Sequence, residues 1–194
     1  MIALRGVTKR FGAQVVLDGL DLDINDGVVT AVMGPNGSGK TTLARLLLGL
    51  TMPDDGTITE VDGRRGAMTF QEDRLCEQLT AVGNVRLVLD HRLHTAPAVA
   101  AELGRVGLDV DSLAKPVRDL SGGQRRRVAI VRAVLPAAEL VVLDEPFKGL
   151  DADAKCQLMD YVRERCAGRT VLLITHDRSE AEWFDAAVIE LGAA

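Results

Sequence analysis

Eight consecutive residues, Gly34-Pro35-Asn36-Gly37-Ser38-Gly39-Lys40-Thr41, fill every fixed position of G-x-x-x-x-G-K-[ST]. Glycines at those places let backbone N–H groups converge on a phosphate, and the start of the following helix adds its positive end. Lys40 reaches the terminal phosphates, Thr41 suits Mg²⁺, and Thr42 is counted with the same phosphate turn. A second cluster, Leu140-Val141-Val142-Leu143-Asp144-Glu145, is an apolar run ending in two carboxylates. Asp144 is placed to hold Mg²⁺. Glu145, one residue on, is placed to polarise a water against a γ-phosphate, because phosphoryl transfer needs positioning and charge compensation more than covalent chemistry. A third, Leu120-Ser121-Gly122-Gly123-Gln124, opens a helix with Ser121 as N-cap and bare glycine amides behind it, a second anion-binding helix end. The blander readings are a Gly-rich turn for the first cluster and a solvated strand end for the second.

These groups need a scaffold. Residues 28–33 read as a buried strand running into the glycine loop, and 41–50 as the helix after it. Residues 2–8 and 15–24 part-alternate around Phe11-Gly12-Ala13, which predicts an antiparallel pair. Pro53-Asp54-Asp55-Gly56 marks a turn before short strands at 57–61 and 67–70. From 72 to 119 the pattern is helical, punctuated by Gly83, Pro97, Gly104, Gly107 and Pro116, and reads as a small lobe. The final third alternates: helix 122–135, strand 140–143, helix 151–166, strand 170–174, helix 178–183, strand 187–191. Such alternation builds a right-handed parallel sheet flanked by helices.

With 194 residues, 47% of them hydrophobic and 26% charged, one ordinary globular domain is expected. A net charge of -5 argues against a nucleic-acid partner. The apolar runs are broken well short of the roughly 18 residues of a membrane span, and residues 1–6 lack a signal-peptide core, so the cytoplasm is the expected compartment. Cys76, Cys156 and Cys166 read as free, buried or half-buried thiols, and His91 and His94 as exposed rather than metal-bound.

Together the phosphate loop, Leu-Ser-Gly-Gly-Gln and the Asp-Glu after a hydrophobic strand resemble the ATP-binding cassette family over nearly the whole chain. The resemblance implies an α/β fold: a P-loop NTPase core of mainly parallel sheet flanked by helices, an N-terminal antiparallel β subdomain and a small helical subdomain. The single domain 1–194 would then divide into an ATP-binding core at 1–71 and 120–194 and a helical subdomain at 72–119. It implies ATP and Mg²⁺ as cofactors and ATP hydrolysis as the activity.

In that family two cassettes meet head to tail, so that Ser121, Gly122, Gly123 and Gln124 of one close over ATP held by the other. A twofold homodimer is the natural form. Gln71 corresponds to the glutamine that contacts Mg²⁺ and the attacking water, and His176 to the switch histidine near the γ-phosphate. Phe11 corresponds to the aromatic stacked on adenine. Asp151, in Gly149-Leu150-Asp151, corresponds to the loop between the two sites and also suits an N-cap. Lys148-Gly149 depart from the small residues usual there. The Arg125-Arg126-Arg127 run is then the exposed start of the signature helix.

The stretches from Gln71-Glu72-Asp73-Arg74-Leu75 to Val85, and Asp144-Glu145-Pro146-Phe147, resemble the nitrate, sulfonate and taurine type importers. That implies a cytoplasmic, peripheral ATPase on the inner membrane face, powering transport of a small solute, with import favoured. The partners implied are a separate permease docked near residues 72–79 and an extracytoplasmic solute-binding protein in the same system. The alternative is a soluble cassette ATPase of repair, assembly or translation. A single cassette, no long coiled-coil insertion and no zinc hook weigh against it, and the regulatory domain appended in some sugar importers is expected to be missing.

Overall fold

The structure is a computed structural model that describes residues 1–61 and 63–192. It divides into two compact units: Met1–Ala67, Ala138–Asp144 and Ala167–Ala194 form the first, Met68–Ala137 and Glu145–Cys166 the second.

In the first unit β1 (Ile2–Phe11) and β2 (Gln14–Ile24) pair antiparallel, as their alternation predicts. Their two-residue connection, Gly12-Ala13, places Gly12 at φ 61, the left-handed region a tight hairpin demands. Ile2, Leu4 and Ile24 are fully buried on one face of this ribbon. β4 (Asp55–Thr59) adds to the other edge of β1, giving the order β2-β1-β4.

The second sheet has the order β5-β6-β7-β3-β8, from β3 (Val29–Met33), β5 (Gly66–Thr69), β6 (Leu140–Asp144), β7 (Thr170–Ile174) and β8 (Ala187–Glu190). β6 with β7, β7 with β3 and β3 with β8 are parallel. Every residue of β6 and β7 is buried, which is why these strands read as unbroken apolar runs rather than alternating ones. The helix α1 (Lys40–Leu47) lies against β7 and β2 with Leu43, Ala44, Leu46 and Leu47 buried. It stops three residues before the expected end because Gly49, at φ 63, closes a Schellman cap: Gly49 N donates to Leu46 O and Leu50 N to Arg45 O. A short helix α7 (Arg178–Trp183), numbered in chain order, precedes β8.

The second unit holds α2 (Ala81–Arg86), α3 (Ala96–Arg105), α4 (Val110–Ala114), α5 (Gly122–Val134) and α6 (Ala152–Arg165). Thr80, Thr95 and Asp109 cap α2, α3 and α4 through their side chains. α5 packs on α2, α3 and α6, so this unit takes in more chain than residues 72–119. Among the described residues no helix is long and apolar enough to cross a membrane. None of the three cysteines is in a disulfide, and only Cys166 is buried; Cys76 and Cys156 are exposed, contrary to the sequence expectation.

Candidate active site

The phosphate loop is shaped by backbone that only glycine adopts easily. Gly34, Gly37 and Gly39 take φ 143, 85 and 90. A Cβ on Gly39 would lie 2.6 Å from Leu17 Cδ2 and 2.9 Å from Val16 O, and one on Gly34 would overlap the Leu191 carbonyl. Lys40 is buried, and its Nζ donates to the carbonyls of Gly34 and Pro35, both at 2.8 Å. The ammonium thus spans the loop rather than pointing to solvent. The N-cap of α1 is Gly39, which offers no side chain to the first helical amides, while Pro35, Asn36 and Gly37 form an exposed rim. Ser38 Oγ is buried with no hydrogen-bond partner among the described residues, an orphaned group aimed into a glycine cradle. This is the chemistry a polyphosphate fits.

β6 delivers Asp144 to the same unit. The carboxylate is 4% exposed and accepts from Thr41 Oγ1 at 2.9 Å, across 103 residues of sequence. Thr42, half-buried, follows in the first turn of α1. A hydroxyl and a carboxylate oxygen are hard donors of the kind Mg²⁺ takes, so the residues present fit that ion. His176 is the first exposed residue past Thr175 at the end of β7. The Thr175 hydroxyl accepts from Asp177 N at 3.1 Å and donates to the buried Glu180 carboxylate, which fixes the turn on either side of His176. Phe11 is 49% exposed rather than part of the core, with Lys9 Nζ over its ring, 5.6 Å from the centre.

The second unit carries the remaining residues. Glu145 continues the chain from Asp144 with φ 45, a left-handed backbone that costs a non-glycine residue about 1–3 kcal/mol. Its side chain is 13% exposed and accepts from Lys148 Nζ at 2.8 Å, inside a turn in which Lys148 N faces Glu145 O at 3.4 Å. The unusual Lys148 therefore brings a cation to the carboxylate. Ser121 caps α5 as expected. Its Oγ accepts from Gln124 N at 3.2 Å and Gln124 Oε1 accepts from Ser121 N at 2.9 Å, a complete capping box. Gln124 Nε2 also donates to Ser112 Oγ at 2.8 Å. Gly122 has open space where a side chain would stand, and Gly123 lies against Leu150. Asp151 caps α6 by accepting from Ala154 N at 2.9 Å. Gln71 is exposed just beyond β5.

The arginine run departs from expectation. Arg126 is only 9% exposed, and all three guanidinium groups serve main-chain carbonyls: Arg125 that of Leu120, Arg126 those of Phe70 and Gln71, Arg127 those of Gly123, Val106 and Gly107. Loop ends leave carbonyls without ladder partners, and a planar multi-donor cation satisfies several at once. Composition cannot distinguish such arginines from a solvated basic face. Glu180 and the Lys148 contact were likewise missed, since each depends on a fold-determined neighbour.

The family profile described as ABC transporter matches residues 17–148. The chain is 43% identical over 182 residues to the aliphatic sulfonates import ATP-binding protein SsuB 3 of Paraburkholderia xenovorans, covering 93% of this chain and 72% of that protein. It is 37% identical over 201 residues to the sulfate/thiosulfate import ATP-binding protein CysA of Caulobacter vibrioides, covering 93% and 58%. Among solved structures, the dimeric bacterial ABC transporter cassette MJ0796 is similar with a TM-score of 0.85 at 27% identity, over 99% of this chain and 94% of that one. Its dimeric post-hydrolysis state bound to ADP and Pi gives 0.85 at 26%, over 100% and 96%. Motifs, fold and relatives agree, and the chain belongs to the ABC transporter family.

Proposed function

We propose that this chain is the ATP-hydrolysing subunit of an importer and that it drives a small sulfonate-class anion through a separate membrane permease. The observation that carries the catalytic part is the Thr41–Asp144 hydrogen bond beside a Lys40 that spans the glycine loop. Support for the cargo is the run of relatives named for aliphatic sulfonates import.

Mg²⁺ held by this site would supply neutralisation of phosphate charge. The chain's own groups do the rest. Lys40 Nζ exchanges the Gly34 and Pro35 carbonyls for phosphate oxygens, and the amides of residues 34–42 cradle the same charge. Thr41, Asp144 and Gln71 are the residues that would hold the metal. Glu145 accepts a proton from the attacking water, while His176 hydrogen-bonds the γ-phosphate and Phe11 stacks on adenine. Ser121, Gly122, Gly123 and Gln124 of a second copy close over the nucleotide, with Asp151 carrying the contact between the two sites. The working unit is a head-to-tail homodimer on the cytoplasmic face of the membrane, docked on the permease through the exposed Leu79 and Leu87 of the second unit, with an extracytoplasmic solute-binding protein in the same system.

Purified protein tests the catalytic part. Glu145→Gln is expected to cut turnover on the order of 10²-fold or more while ATP still binds, and Lys40→Ala to weaken both. Turnover of the glutamine variant at the unaltered rate would remove Glu145 from its role. For the transport part, tagged Glu145→Gln protein with ATP and Mg²⁺ is used to capture partners from native membranes. A polytopic permease is the expected catch; soluble partners alone point to a non-transport ATPase.

A further inference from the structure

We propose that Arg126 is a positioning residue that sets Gln71 by gripping its main chain, an inference that rests on Gln71 being the metal and water contact proposed above. Gln71 lies on an exposed turn after β5, so the direction of its side chain depends on how its backbone is held. That backbone is held from α5. Arg126 Nη1 donates to Phe70 O at 2.9 Å and Nη2 to Gln71 O at 2.7 Å, while Nη1 stands 3.3 Å from Asp73 Oδ1, close enough for an ion pair but not aligned as a hydrogen bond. Arg132, further along the same helix, donates to Asp73 O at 2.8 Å and Arg74 O at 2.9 Å.

Two guanidinium groups of one helix thus take four carbonyls between residues 70 and 74. The segment itself is strained and self-closed. Arg74 sits at φ 45, and its guanidinium lies 4.0 Å from the centre of the Phe70 ring. A loop in that conformation needs an external clamp, and Arg126 supplies the part nearest Gln71. The planar fork matters: an ammonium at the same place reaches one carbonyl at a time. Arg126 also stands two residues past the capping-box residue Gln124, so the helix end that carries Ser121 and the turn that carries Gln71 are tied by one side chain.

The test is a double-mutant cycle on steady-state ATPase kinetics. Arg126→Met is expected to lower kcat about tenfold, since misplacement of a positioning group by an ångström costs up to roughly 10²-fold, with KM for ATP within about twofold because Lys40 and the loop are untouched. Gln71→Ala is expected to lower kcat at least as much. Their combination is expected to be no slower than Gln71→Ala alone, since Arg126 acts only through Gln71. Arg126→Lys falls between wild type and Arg126→Met. If Arg126→Met does not fold, Arg126→Lys enters the same cycle. Losses that multiply in the double variant, or an Arg126→Met kcat equal to wild type, overturn the positioning role. A wild-type rate in Gln71→Ala removes instead the reading of Gln71, and the inference falls with it.

Discussion

Gly39 has two independent reasons to be glycine. Its φ of 90 is unfavourable for any side chain, and a Cβ there would press on Leu17 and the Val16 carbonyl. Gly39→Ala therefore combines backbone strain with a clash against β2, together about 2–3 kcal/mol. The expected result is a melting temperature lower by roughly 5–10 °C for a chain of this size, with ATP affinity reduced because the loop opens; a variant that melts with wild type would show the loop to be more plastic than its contacts imply. Charge at a single residue gives a second prediction. The Arg64 guanidinium beside Asp26 holds its carboxyl well below the usual carboxylate range, and the Met1 amine adds to this. A depressed carboxyl contributes stability above its unfolded value of about 4, and that contribution is lost as pH falls below it. Because Asp26 is 47% exposed, solvent screens the pair. Asp26→Asn is expected to lower the melting temperature by no more than about 2 °C at pH 7, with the gap shrinking as thermal scans move below about pH 4. A gap that widens in acid contradicts the pairing.

At the scale of elements, Asn84 in α2 organises a segment with no regular structure of its own. Fully buried, it accepts from Cys76 N at 2.7 Å and donates to the carbonyls of Cys76, Leu79 and Thr80 at 3.1, 3.3 and 3.1 Å. Asn84→Ala strands the Cys76 amide away from water, while the carbonyls of Cys76, Leu79 and Thr80 keep main-chain donors in Leu79 N, Val117 N and the backbone N of residue 84, at a cost of about 2 kcal/mol. Hydrogen exchange is expected to speed up at the Cys76 amide and in the first turn of α2 before the rest of the second unit opens; uniform exchange would assign Asn84 a global role instead. Much of the architecture around such elements was legible. The hairpin at Gly12-Ala13, the loop between β3 and α1, and the caps Ser121 and Asp151 rest on local rules that sequence carries directly. Thr80, Thr95 and Asp109 carried the same capping signal in the stretch read only as helical. Asn84, Glu180 and the arginines of α5 were not legible, because their partners are carbonyls or side chains that only the fold brings within reach. Of the candidate site, the motifs already set Thr41 and Asp144, 103 residues apart, toward one ion; the direct hydrogen bond between them came only with the fold.

Across the whole molecule, one chain carries two glycine-rich helix starts proposed to bind phosphate, Gly39 ahead of α1 and Ser121 ahead of α5, in different compact units. In the proposed head-to-tail pair each would serve once per nucleotide, so a twofold dimer would have two composite sites and a monomer none. The similar cassette MJ0796 is described as dimeric, both in its own structure and with ADP and Pi. Light scattering is expected to report a doubling of the 20.8 kDa mass when Glu145→Gln protein receives ATP and Mg²⁺, and no doubling with ADP. Complementation separates composite sites from mere association. Lys40→Ala protein lacks the phosphate contact but keeps its signature, and Ser121→Arg protein has the reverse defect. In an equal mixture half the dimers are mixed, and each mixed dimer has one intact site of two, so activity should recover to about a quarter of wild type if the sites act independently. Each variant alone is expected to be nearly inactive. Recovery no greater than the two variants measured separately, in a mixture whose mass doubles, would mean that each nucleotide is served by the loop and signature of the same copy, and the head-to-tail arrangement would have to be given up.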